Sequence, residues 1–302
     1  MKEEEPGYQV SDKVSSIKHQ ASGMTVTIIG TGLIGGSMAI ALKEKGIAQK
    51  IIGVEANDEH RRQALASKLV DEITDLDEAI KSSDIIIIAV PVDVSIKMIG
   101  KILENVDKQI VLDVGSTKTR ICEIANQSKK RGRFVATHPM WGTEFSGPQA
   151  ARKGAFVDKA VVICDKKDSD KDALDFTENM YRALGMHLIY MNAVEHDVHA
   201  AYVSHISHIT SFALANTVLE KEKEEDAIFE LASGGFESTV RLAKSNPAMW
   251  VPVFAQNRDN VLDVLNEHIS QLRKFKSCLE KENYEYLTEL IENANKISRV
   301  LI

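Results

Sequence analysis

Three cysteines in 302 residues, Cys122, Cys164 and Cys278, stand far apart and form no Cys-x-x-Cys pair. That spacing suggests neither a disulfide framework nor a thiolate metal cluster, and it fits a reducing compartment. Long apolar runs are also missing. The longest, 85–92, falls far short of the roughly 20 residues of a membrane helix, and the N-terminus shows no signal-type apolar core. A cytoplasmic, unexported protein with no membrane association is expected. A positive charge balance is absent as well: the net charge of −7 argues against non-specific attraction to nucleic acid or anionic lipid. Internal repeats and low-complexity segments are not found. What remains is 44% hydrophobic and 27% charged, an ordinary globular composition, in a chain long enough for two domains.

The organising stretch is 25–37, Thr-Val-Thr-Ile-Ile-Gly-Thr-Gly-Leu-Ile-Gly-Gly-Ser. Val26, Ile28 and Ile29 read as a strand. Gly30, Gly32 and Gly35, with Leu33 and Ile34 between them, then keep the G-x-G-x-x-G spacing before a helix-like segment. Gly30 permits the tight turn, Gly32 leaves no Cβ between backbone and a pyrophosphate, and Gly35 lets the helix pack on the strand. Glu55 follows about twenty residues later, at the end of the apolar run 51–54, where an acid accepts hydrogen bonds from an adenosine ribose. The combination predicts dinucleotide binding.

Residues 1–23 are polar, carry Glu3, Glu4 and Glu5, and read as a mobile N-terminal extension. From 25 to about 184, β-rich runs near 25–29, 50–55, 84–90, 109–114, 134–138 and 159–164 alternate with helix-period segments. This alternation predicts an α/β fold: a Rossmann-type, doubly wound parallel sheet over 24–190. Val90 and Pro91 mark the carboxyl end of a central strand, the edge where ligands bind. After the short run Leu188-Ile189-Tyr190 nothing resembles a strand, so 191–302 is predicted to be all-helical. One long helix is expected over 192–222, with the charge run 220–225 as its solvated end. Gly234-Gly235 breaks the chain, and Pro247 suits a first helical turn. A small helical domain this apolar is expected to pair with a copy of itself.

Four places carry polar groups that core packing does not require. In 113–118, Asp-Val-Gly-Ser-Thr-Lys, Gly115 lets a turn present Ser116 at the cofactor edge, although capping of the next helix by Ser116 or Thr117 explains the residues equally well. In 137–148, His138 closes a strand and stands where a catalytic base belongs, since an imidazole of pKa about 6.5 suits proton transfer at neutral pH; a structural histidine is the alternative. On the long helix stand His196, Asp197, His199, Ser204, His205 and His208. Asp197, Ala201, Ser204 and His208 fall on one α-helical face, and ordinary hydrogen bonding suits these histidines better than a metal, since no Cys cluster or H-E-x-x-H accompanies them. No metal site is expected. Finally, Arg241 could pair with a substrate carboxylate, or it could be a surface arginine beside Glu237.

Taken together, these residues resemble the prephenate/arogenate dehydrogenase family of tyrosine biosynthesis, from about residue 24 to 298. The resemblance rests on Asp113-Val114-Gly115-Ser116-Thr117-Lys118, on Thr137-His138-Pro139-Met140 with Gly142-Thr143-Glu144, on Ser204-His205 with His208, and on Gly-Gly-Phe through Arg241 to Met249-Trp250. It implies an N-terminal Rossmann domain, a helical dimerisation domain making a homodimer, NAD as cofactor, and oxidative decarboxylation of prephenate to 4-hydroxyphenylpyruvate. It further implies that His138 draws the proton of the ring hydroxyl, that Ser116 orients the imidazole, and that Arg241 clamps a carboxylate. Thr143, Glu144 and His208 would line the pocket, and Trp250 would close its edge from this chain or the partner. No fused chorismate mutase or ACT domain is expected. The chain departs from the family pattern at Trp141, at Ser207 and at Glu237-Ser238, where a basic residue and Asp are common. Arogenate is the alternative substrate. A β-hydroxyacid-type dehydrogenase would need a helix-borne lysine that does not follow Gly234-Gly235, and a non-catalytic dinucleotide sensor would not need His138 and Arg241 together.

Overall fold

Four consecutive isoleucines, Ile85–Ile88, form a strand in which every residue is buried, as a strand covered on both faces must be. Alternation then divides them: Ile85 and Ile87 join one core with Ile28, Met38 and Leu42, while Ile86 and Ile88 join the other with Ile29, Ile99 and Leu103. The computed structural model describes residues 23–222 and 229–299. Of the extension expected at 1–23, residues 1–22 lie outside the described residues, as do residues 223–225 of the charge run.

Among the described residues eight strands form one sheet: β1 (Met24–Ile29), β2 (Ala48–Val54), β3 (Glu72–Ile73), β4 (Ile85–Ile88), β5 (Ile110–Asp113), β6 (Phe134–Pro139), β7 (Ala160–Cys164) and β8 (His187–Met191). Their spatial order is β3-β2-β1-β4-β5-β6-β7-β8. The order reverses between β1 and β4, which opens a crevice at the carboxyl ends of the strands. One junction departs from the parallel pattern, since β7 runs antiparallel to β6 with Val162 opposite His138. The cause is the connection. Between 139 and 160 there is only a loop with one short 3₁₀ turn, Pro148–Ala150, and without a crossover helix the chain re-enters the sheet at the edge it left. β3, two residues long, is too short to show a period.

The helices are α1 (Leu33–Glu44), α2 (Asp58–Ala66), α3 (Leu76–Ser82), α4 (Val92–Asn105), α5 (Thr119–Ala125), α6 (Lys171–Ala183), α7 (Ala193–Ala200), α8 (Ile206–Glu222), α9 (Gly234–Val240), α10 (Pro247–Gln256), α11 (Arg258–Glu280) and α12 (Tyr284–Asn295). A π-turn, Ala201–His205, joins α7 to α8, so the predicted long helix exists but carries an inserted wide turn. Asn192 starts it with a capping box shared with Glu195. The helical half docks on the sheet half through Trp250 and Val253, which pack on Val92 of α4. Leu272, Leu279, Tyr284 and Ile291 of α11 and α12 remain exposed in the single chain. Among the described residues no helix is long and apolar enough to cross a membrane.

Candidate active site

At the switch point the glycines divide their work by geometry. Gly30 has φ +91°, and a Cβ on it would lie 2.7 Å from the Ala89 carbonyl oxygen and 2.8 Å from Val90. A Cβ on Gly35 would overlap the Gly30 carbonyl oxygen. Gly32 differs, since nothing lies within 4 Å of its missing Cβ. It stands at the N-cap of α1, where no side chain caps the first turn, leaving N–H groups for an anion. Glu55 is held in place for a ribose: Thr31 donates to its Oε2 from the backbone N at 3.0 Å and from Oγ1 at 3.1 Å, and the Asn57 N–H donates to Oε1 at 3.1 Å. Open space at Gly32 and a pre-set carboxylate at Glu55 fit a dinucleotide. Pro91 forms the N-cap of α4 on the other side of the crevice.

A cavity of about 300 Å³ lies beside this turn. Leu33 and Ile34 border it from the sheet half, and Ser204, His208 and Trp250 from the helical half. Ser116, His138 and Thr143 complete the polar lining. Trp250 therefore closes the pocket of its own chain. His208 stacks on the indole with ring centroids 3.4 Å apart, and its Nδ1 donates to the Ser204 carbonyl at 3.1 Å. Glu144 and Arg241 stand outside this lining and bind each other, Arg241 Nη1 to Glu144 Oε2 at 2.7 Å, so the arginine's partner is Glu144 and not Glu237.

His138 Nδ1 lies 2.8 Å from His196 Nε2, and His196 Nδ1 lies 2.8 Å from Asp197 Oδ1. Burial pushes the Asp197 carboxyl up, but hydrogen bonds from His196 and Thr119 outweigh it and hold the group below its usual range. As a carboxylate it only accepts, so His196 Nδ1 carries the hydrogen, and in the neutral ring His196 Nε2 is then an acceptor. His138 Nδ1–H must then donate to it. The remaining nitrogen of His138, Nε2, is left as an acceptor on an imidazole that borders the cavity. Burial, then His196 and the Lys118 cation, push its pKa well below 6.5, which keeps the ring neutral.

This chain of groups changes two expectations. Orientation of the His138 ring comes from His196, while Ser116 only borders the same cavity. Neither Ser116 nor Thr117 caps α5; the Asp197 carboxylate does so from the other half of the molecule, accepting from Lys118 N at 2.7 Å and Thr119 N at 2.9 Å. Thr117 instead donates to Gln256 at 2.8 Å. The last residue of the 113–118 motif, Lys118, is fully buried, ion-paired with Asp113, and donates to the Thr137 carbonyl at 2.8 Å, next to His138. Nothing in the local sequence announces that pairing.

The π-turn explains the helical contribution. A turn holding one extra residue delays every later side chain by about 100°, the rotation per residue at 3.6 residues per turn. Counted with that delay, His208 follows His196 by eleven α-positions, about 20° from the same face. His196, rather than Asp197, is thus aligned with Ser204 and His208, and Asp197 turns toward α5.

Residues 38–190 match the family model of the prephenate dehydrogenase nucleotide-binding domain, and residues 192–293 match that of its dimerization domain. The chain belongs to the prephenate dehydrogenase family. Membership makes it an oxidoreductase. It is 31% identical to the prephenate dehydrogenase of Bacillus subtilis over 89% of this chain and 74% of that one, and 27% identical to the cyclohexadienyl dehydrogenase of Zymomonas mobilis over 90% and 94%. Among solved structures it resembles the Aquifex aeolicus prephenate dehydrogenase in complex with hydroxyphenyl propionate and NAD+ (30% identity, TM-score 0.83, 92% of this chain and 98% of that one). The arogenate dehydrogenase of Synechocystis is also similar (26%, TM-score 0.74, 92% and 100%). Two departures from the family pattern have visible consequences. Ser238, at the place where Asp is common, turns back to the Gly235 carbonyl at 2.9 Å, and Trp141 packs edge-on against Phe156 at 5.7 Å.

Proposed function

We propose that this chain catalyses the NAD-dependent oxidative decarboxylation of prephenate to 4-hydroxyphenylpyruvate and CO₂, as a cytoplasmic enzyme of tyrosine biosynthesis. The observation that carries the reading is a neutral His138 whose Nε2 is left as a free acceptor in a cavity beside the glycine turn. His138 takes the proton of the ring hydroxyl through that nitrogen. NAD⁺, held by the glycine turn with Glu55 on its ribose, supplies the hydride acceptor when bound. Arg241 leaves Glu144 for a substrate carboxylate, a bidentate exchange suited to a planar guanidinium. Ser116, Thr143 and His208 position the substrate, and Trp250 excludes water from its edge. Loss of CO₂ requires no dedicated acid or base, since aromatisation drives it once the ring is oxidised; orientation and charge stabilisation are the tasks left to the protein.

The division of labour follows the chain, with dinucleotide binding over 24–190 and dimerisation over 191–302. The exposed apolar residues of α11 and α12 support pairing of two copies through the helical half. The test is NADH absorbance on mixing purified protein and NAD⁺ with prephenate and, separately, with arogenate. NADH formation with prephenate is expected; none with prephenate, from a folded protein that binds NAD⁺, would overturn the reading.

A further inference from the structure

Behind His138 stands a second imidazole that does not itself border the cavity, and behind that a carboxylate. His196 and Asp197 are both buried. The arrangement is held from several sides: Asn257 donates to the Asp197 carbonyl at 2.6 Å, and Asp197 itself is anchored on the Lys118 and Thr119 N–H groups. Two possible resting places for a proton differ sharply in surroundings. On His138 the positive charge would stand beside the buried Lys118 ammonium, which is bonded to the carbonyl of the preceding residue. On His196 it would stand against the Asp197 carboxylate at 2.8 Å. Unlike charges at that distance in a buried site favour the second arrangement.

We propose that His138 and His196 form a two-step proton relay in which the proton taken from the substrate hydroxyl comes to rest as an imidazolium on His196 paired with Asp197. The proposal rests on the reading of His138 as the base. The O–H bond of the substrate breaks as the His138 Nε2–H bond forms. The His138 Nδ1–H bond breaks as the His196 Nε2–H bond forms. His138 is left neutral in its other tautomer, and His196 keeps its Nδ1–H on Asp197. The electrons of the substrate's C–H bond leave as hydride to NAD⁺, so no further oxidant is needed. Moving the charge one ring further away relieves the repulsion with Lys118 that charging His138 alone would create. The charged and titratable groups around the pair are Lys118 with its partner Asp113 from the sheet half, and Asp197, His205 and His208 from the helical half.

The discriminating variant is His196→Gln. Its amide oxygen accepts from His138 Nδ1–H and its amide nitrogen donates to Asp197, so orientation survives while protonation does not. Expected are NAD⁺ and prephenate binding within several-fold of wild type, a single-turnover rate lower by about 10²-fold, and a displaced low-pH limb. A single-turnover rate and pH profile like those of wild type would overturn the relay and leave His196 a positioning residue. A second measurement avoids mutation: the proton inventory of single-turnover NADH formation in H₂O/D₂O mixtures. A bowed inventory supports two protons in motion, and a linear one overturns the relay. His138→Asn separates this from the parent reading. A near-normal rate in that variant removes the base assignment itself, whereas a near-normal rate in His196→Gln alone removes only the second step.

Discussion

Arg241 Nη1 donates to Glu144 Oε2 across 2.7 Å, joining a helix–turn junction of the helical half to the loop after β6. The arginine is half-exposed, so its resting partner can be exchanged for a substrate carboxylate. Hydrogen bonds to charged groups decide the size of the effect. Arg241→Gln should raise KM for prephenate roughly ten- to 150-fold and leave the Kd of NAD⁺ nearly unchanged, because the arginine stands on the opposite half from the glycine turn. An unaltered KM in a folded variant would end the clamp assignment.

Glu55 predicts the choice of cofactor. Its carboxylate is fixed by Thr31 and Asn57 where a ribose 2′-oxygen would come. A 2′-phosphate there would meet like charge worth about 4 kcal/mol at a separation of ~4 Å and an effective dielectric of ~20. NAD⁺ should be strongly preferred over NADP⁺ in kcat/KM. Equal values for the two cofactors would contradict this role for Glu55.

The glycines should separate folding from binding. In Gly35→Ala the new methyl overlaps the Gly30 carbonyl, an overpacking that costs about 1–3 kcal/mol and should lower Tm. Gly32→Ala meets nothing within 4 Å, so Tm should stay put while NAD⁺ affinity falls. Thermal unfolding and NAD⁺ titration of both variants check the contrast; normal NAD⁺ binding by Gly32→Ala would place the pyrophosphate elsewhere.

His138→Asn keeps an acceptor but cannot take a proton, so kcat should fall about 10²–10⁴-fold while substrate binding holds within several-fold. The pH dependence has a definite sign. Burial, reinforced by His196 and Lys118, puts the folded pKa well below 6.5, so the low-pH limb of kcat belongs well below pH 6.5. Stability follows the same direction. Between about 6.5 and the depressed value the unfolded chain binds a proton that the folded site refuses, and unfolding free energy therefore falls as pH falls. His205, pushed down to about 4 by burial, adds a contribution of the same sign between about pH 6.5 and pH 4. A kcat limb at or above pH 6.5 in wild type would assign the limb to another group.

Much of the site was legible along the chain because its signals are local. The G-x-G-x-x-G spacing and the acid at Glu55 belong to one βαβ unit, and each glycine's task follows from backbone sterics over a few residues. His138 was legible for a similar reason, since a strand end followed by Pro and Gly puts its side chain at the ligand edge. The pairing of His138 with His196 spans 58 residues, and that of Thr117 with Gln256 spans 139. No period or motif connects such positions.

Local pattern along the chain was thus enough for the α/β half, for the helical half that follows it, and for placing Gly30, Gly32, Gly35 and His138 at the carboxyl edge of the sheet. Three other features came from packing between distant segments. It reversed β7, because the 140–159 loop supplies no crossover helix. It put His196 rather than Asp197 on the face shared with Ser204 and His208, because the π-turn inserts a residue that helical counting does not anticipate. It also gave Arg241, Lys118 and the first turn of α5 their partners. Hydrophobic periodicity is written along the chain, but the partner of a buried polar group is whichever complementary group packing brings within about 3 Å, and only the folded chain sets that distance.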